Sequence, residues 1–108
     1  MGVNDLLVRA PTVLDRDTRK AFRREALRLV EASREPRSGA KEPGDRLVVD
    51  LAGTKKVDSA GLGALILVRE RASELRRTVC LRGASDELRF LLVLTRLEDR
   101  FEFEPPAT

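Results

Sequence analysis

The run Leu47-Val48-Val49-Asp50-Leu51 constrains this chain more than any other segment. Four apolar residues in five leave no polar face, so as a strand it has to be covered on both sides, in the middle of a parallel sheet. Parallel neighbours are joined by crossovers long enough to hold a helix, and the following residues supply one. After the turn Ala52-Gly53-Thr54-Lys55-Lys56, the apolar residues Leu62, Leu65, Val68, Ala72 and Leu75 recur at offsets of three and four. Arg69, Glu70, Arg71 and Glu74 fall largely outside that stripe, which is the pattern of a helix with one buried face.

The same alternation extends in both directions. Leu6-Leu7-Val8 is a short strand ended by Pro11, and Asp15-Arg16-Asp17-Thr18 offers capping side chains to a helix whose apolar face is Phe22, Ala26, Leu29 and Val30, fading near Ser33. Thr78-Val79-Cys80-Leu81 is a further strand, Ser85 an N-cap, and Leu88, Leu91, Leu92 and the residues to Leu97 the apolar face of a third helix. Phe101-Glu102-Phe103-Glu104 alternates with period two as a half-exposed strand, stopped by Pro105-Pro106. Residues 34–46 hold two Pro and two Gly and no large apolar side chain, and are expected to form a flexible solvated loop. The 108 residues suffice for one hydrophobic core, so a single α/β domain over residues 1–108 is expected.

Composition removes several kinds of function. The chain has no His, so Ser-His-Asp and Cys-His nucleophile arrangements are absent, and zinc would have only carboxylates and one thiol. No catalytic role, metal or cofactor is expected. Of the 21 basic and 18 acidic residues, 11 and 8 lie in residues 1–46 and 10 and 10 in residues 47–108, so the net +3 is a modest N-terminal excess on a mixed surface. Four Phe without Trp or Tyr offer few stacking platforms, and no nucleic-acid partner is expected. Cys80 is the one cysteine and sits in an apolar strand; the longest uncharged apolar stretch, 60–68, is far below the ~20 residues of a transmembrane helix. A cytoplasmic protein with no transmembrane segment is the expectation.

Chemistry concentrates in Val57-Asp58-Ser59-Ala60-Gly61-Leu62-Gly63. A phosphate-binding loop would need a Gly-Lys pair, which this segment lacks. A dinucleotide fingerprint would need Gly where Ile66 stands, and a nucleophile elbow would need Gly at Val57 together with a His base. What remains is a hydroxyl at a helix start, preceded by a carboxylate. Ser59 is then either an N-cap, its hydroxyl accepting from first-turn amides, or a modifiable group whose phosphate would meet the positive end of the helix.

These segments, with Ser85-Asp86-Glu87-Leu88-Arg89 and Leu94-Thr95-Arg96-Leu97-Glu98-Asp99-Arg100-Phe101, resemble the STAS domain family of bacterial anti-sigma factor antagonists over roughly residues 14–104. Leu14-Asp15 is similar to the pair that opens the family's first helix. The resemblance implies a STAS-like mixed, mostly parallel sheet of about four strands with helices packed against it. Only 6–9 is available before Pro11, so the first family strand is expected to be reduced or missing. It further implies that the protein binds an anti-sigma factor, also a serine kinase, until phosphorylation of Ser59 ends binding and a phosphatase restores it. Asp15, Asp58, Ser59, Ala60, Gly61, Leu62 and Gly63 would frame the docking surface. The neighbouring alternative is a STAS subunit of a phospholipid-transport ABC system that binds its transporter ATPase; a nucleotide-binding protein is the remote one.

Overall fold

The structure is a computed structural model and describes residues 5–32 and 46–104. The elements run β1 (Leu6–Arg9), β2 (Val13–Leu14), α1 (Arg19–Ala32), β3 (Leu47–Asp50), β4 (Lys56–Val57), α2 (Ser59–Glu74), β5 (Val79–Arg82), α3 (Asp86–Leu94), a 3₁₀ turn (Glu98–Arg100) and β6 (Glu102–Glu104). The loop expected at 34–46 lies, apart from Arg46, outside the described residues.

The four longer strands pair in the order β1-β3-β5-β6, and every pair is parallel. The sheet is therefore more uniform than the mixed sheet expected, because among the described residues no strand precedes β1 to add an antiparallel edge. Each crossover moves one place in the same direction across the sheet. With the right-handed sense that such connections take, this puts all three helices of the described residues on one face. Register shows which face. Val8, Val49, Leu81 and Phe103 form one cross-strand row and Leu6, Leu47 and Val79 another. These rows pack with Phe22, Ala26 and Val30 of α1, Leu65, Val68 and Ala72 of α2, and Leu88 and Leu92 of α3 in one apolar core.

The opposite face carries Val48 and Cys80, both buried, between two polar rows. On one side Arg46 bridges Asp5 at 2.8 Å, Glu102 at 3.2 Å and Glu104 at 3.6 Å. On the other, Arg82 pairs with Glu104 and Arg9 approaches Asp50 at 3.9 Å. The strand expected to be covered on both sides has, among the described residues, helices on one side and an ionic lattice on the other. The hydrogen bond from Arg46 holds the Asp5 carboxyl below its ordinary value, and the one from Arg82 does the same for Glu104. Burial pushes the Cys80 thiol up, which leaves it a protonated strand residue at neutral pH.

Periodicity alone places the end of one helix too late. The third helix stops at Leu94, not near Leu97, because Arg96 adopts φ +59° and the chain reverses. Arg96 N–H donates to Val93 O at 3.1 Å and Leu97 N–H to Leu92 O at 2.8 Å, the paired bonds of a Schellman ending. Helix α2 ends the same way at Arg76, φ +60°, with Arg77 N–H donating to Ala72 O at 2.8 Å. Neither position has the glycine that usually announces this cap.

An arginine in the left-handed region is strained by roughly 1 kcal/mol. The exposed Arg96→Gly is therefore expected to raise unfolding stability by about 0.5–1 kcal/mol in denaturant titration. A second expectation concerns acid. Asp5 and Glu104 have folded values depressed below 3.8 and 4.5, so their contribution is fully present above that range and lost as pH falls through it. Melting temperature measured between pH 7 and 3 is expected to fall on the acid side, and to fall less steeply in Arg46→Met, which keeps the aliphatic stem and removes the charge.

Candidate functional site

The Asp58-Ser59 segment is positioned by two strands too short to register as sequence periodicity. β2 and β4 pair in parallel, Val13 with Lys56 and Leu14 with Val57, so Asp15 and Asp58 leave the paired strands side by side. Lys55 N–H donates to Thr12 O at 2.7 Å and Asp58 N–H to Leu14 O at 3.2 Å, extending the ladder at both ends. The site therefore stands at the carboxyl-terminal edge of the sheet. In open α/β folds this is where functional loops gather.

Asp58, not Ser59, caps α2. Its Oδ1 accepts from Gly61 N–H at 2.9 Å, and Leu62 N–H donates to its carbonyl at 2.8 Å. Asp and Ser are equally good caps, so residue type alone does not choose between positions 58 and 59. Ser59 is the first residue of the helix and is exposed, with no hydrogen bond to its hydroxyl among the described residues. A hydroxyl that satisfies no backbone group is free for chemistry. The first-turn amides of Ser59 and Ala60 have no intrahelical acceptor and lie at the positive end of a 16-residue helix.

Asp15 serves its own turn. Its Oδ1 accepts from Asp17 N–H at 2.9 Å and Thr18 N–H at 3.1 Å, while Thr18 Oγ1 donates to Val13 O at 2.8 Å. Partial desolvation works to raise the Asp15 carboxyl. The Thr18 and Asp17 amides and the Thr18 hydroxyl outweigh it, with Lys56 adding its charge, and hold the group below its ordinary value. Thr18 and Lys56 belong to the site and were not singled out from the sequence; Lys56 is recognisable only once β4 brings it beside Asp15.

The two glycines behave differently. A Cβ on Gly61 would stand 2.2 Å from the carbonyl oxygen of Leu14, so α2 lies against β2 at a distance only glycine permits. Gly61 and Leu62 are buried and set the position of the face. A Cβ on Gly63 would meet nothing within 4 Å. The accessible part of the predicted set is Ser59, with Asp15, Asp58, Ala60 and Gly63 partly exposed around it. Among the described residues no group of His, Cys, Asp and Glu could hold a metal ion, and no helix is long and apolar enough to cross a membrane.

A one-sided parallel sheet with an exposed, unengaged serine at the start of its central helix defines a STAS-like α/β domain. The chain matches the family model described as "Mlab, STAS domain" over residues 2–103, and it belongs to the STAS domain family. Among solved structures it is similar to a protein of Thermotoga maritima described as a proposed anti-sigma factor antagonist. The TM-score is 0.68 at 16% identity, covering 94% of this chain and 80% of that one. It is also similar to a sulfate transporter family protein of Wolinella succinogenes, with a TM-score of 0.62 at 14% identity over 94% of this chain and 78% of that one. At these identities the likeness shows the fold. No curated protein matches.

The glycines make opposite predictions. Gly61→Ala forces α2 off the Leu14 carbonyl and is expected to destabilise by about 3 kcal/mol. Gly63→Ala is expected to stabilise by about 0.5–1 kcal/mol, since it improves helix propensity in open space. Denaturant unfolding of both variants, read at constant m-value, checks the pair.

Proposed function

We propose that this protein is an anti-sigma factor antagonist that acts by partner switching. Unmodified, it docks its Ser59 face on an anti-sigma factor that is also a serine kinase; phosphorylated on Ser59, it lets go, and a phosphatase resets it. The observation that carries the reading is the state of Ser59: exposed, at the first position of α2, its hydroxyl unengaged because Asp58 already caps the helix. A phosphate there would find the amides of Ser59 and Ala60, so the fold would tolerate it. It would also bring a charge of about −1.5 to −2 to a surface that already holds Asp58 and Asp15, so a partner matched to the unmodified face would be repelled. The domain is in this reading a kinase's substrate and not a catalyst. It needs no cofactor of its own and works in the cytoplasm, where ATP and the sigma machinery are.

The test uses purified protein, ATP and kinases encoded beside its gene. One phosphate is expected, mapped by mass spectrometry to Ser59 and absent from Ser59→Ala. Ser59→Asp is expected to weaken partner binding by about tenfold or more, while its unfolding free energy stays within roughly 0.5 kcal/mol of the unmodified protein. Labelling at another residue, or a large loss of stability in Ser59→Asp, would sink the reading.

A second reading has one observation behind it, the match over residues 2–103 to the family model described as "Mlab, STAS domain". In that case the same face would seat a transporter ATPase, such as that of a phospholipid-transport ABC system. A stable complex with such an ATPase, together with no phosphorylation of Ser59 by any neighbouring kinase, would favour it.

A further inference from the structure

Helix α3 has a second apolar stripe that the core does not use. Leu88 and Leu92 are buried, whereas Phe90 and Leu94 are each 63% exposed. An exposed Phe and Leu one helical turn apart are unusual on a charged surface and mark an interaction site when they border a concavity. Here they form one wall of a groove of about 300 Å³ between α3 and the 54–57 segment, with Leu51 and Leu88 also lining it and Lys55 and Lys56 on the opposite side. Both lysines are exposed, and neither forms a salt bridge among the described residues, whereas Arg9, Arg28, Arg46, Arg71 and Arg82 are all paired. Among the described residues the one carboxylate lining the groove is Glu87.

We propose that this groove docks an acidic amphipathic helical segment of the same protein partner that meets Ser59. The proposal rests on the reading of the Ser59 face as a docking surface and gives that partner a second anchor. Apolar side chains at helical spacing would enter between Phe90, Leu94 and Leu88, and carboxylates flanking them would meet Lys55 and Lys56. Continuity supports a shared partner, since Lys56 and Val57 run directly into Asp58 and Ser59. A second copy of the chain fits poorly, because a two-fold contact through this groove would set the lysine pairs of the two copies against each other. A lipid surface also fits poorly, since the apolar side chains line a recess instead of a convex face.

The probe is a synthetic fluorescein-labelled helical peptide with Leu at i, i+3, i+4 and i+7 and Glu on either side, titrated with the full chain and read by anisotropy. Saturable binding is expected. It should weaken by about tenfold or more in Phe90→Ser and in the double variant Lys55→Glu/Lys56→Glu, and equally when the peptide's Glu are changed to Lys. Both altered sites are exposed, and unchanged melting curves confirm that the variants fold. Absence of binding, or equal affinity for the Lys-flanked peptide, overturns the proposal. So does tighter binding to phosphatidylglycerol vesicles, or a dimer in sedimentation that Phe90→Ser dissolves. Ser59 does not line the groove, so Ser59→Asp should leave peptide affinity within about twofold. A chain that binds the peptide while no kinase labels Ser59 keeps the groove and loses the switch, and the reverse result loses the groove alone.

Discussion

Three crossovers taken in the same direction, each right-handed, decide most of what this domain presents to its surroundings. Because no crossover reverses, all three helices described fall on one face of the sheet. The rows Leu6-Leu47-Val79 and Val8-Val49-Leu81-Phe103 then become the floor of the core. The carboxyl-terminal edge of the strands becomes the edge where the loops before α2 and α3 emerge together. The β4 lysine and the start of α3 line one groove for that reason, although 29 positions separate Lys56 from Ser85 in the chain.

Among the described residues the second face of the sheet carries no helix layer. A parallel sheet usually buries both faces. Here Val48 and Cys80 are flanked by Arg46 with its three carboxylates and by the Arg82–Glu104 and Arg9–Asp50 pairs. Each exposed pair contributes little alone. Their value lies in placing charges along the two rows that border the apolar row, which is also a barrier to edge-on or face-on association with other sheets. This charge pattern accounts for seven of the chain's 39 charged residues: Asp5, Arg9, Arg46, Asp50, Arg82, Glu102 and Glu104.

The capping arrangement at α2 shows how structure and function share the same few residues. Asp58 satisfies the amide of Gly61, and Gly61 lets the helix lie against the Leu14 carbonyl. With cap and contact assigned to those two, Ser59 has no structural duty. A residue that had to cap the helix could not also gain and lose a phosphate without cost to the fold. The division of labour between adjacent positions 58 and 59 is what would make the proposed modification of Ser59 compatible with a stable domain.

Much of this was legible in the sequence. The apolar run at 47–51, the stripe from Leu62 to Leu75, Ser85 as a cap and the alternation at 101–104 are local patterns, and each became the element it predicted because local periodicity and burial agree there. The hydroxyl-bearing motif was legible too, since residue types at fixed spacing are a property of the chain. Four things were decided only by the tertiary structure. The two-residue strands β2 and β4 exist because the segments at 13–14 and 56–57 are brought together, and no two-residue stretch has a measurable period. The early end of α3 before Arg96 arises where the packed path of the chain imposes a left-handed residue on a side chain that does not favour it. Asp58 rather than Ser59 became the cap because β4 sets where the helix begins. The exposure of Phe90 and Leu94 depends on what α3 packs against, and a hydrophobic residue carries no local sign of which apolar stripe the core will use.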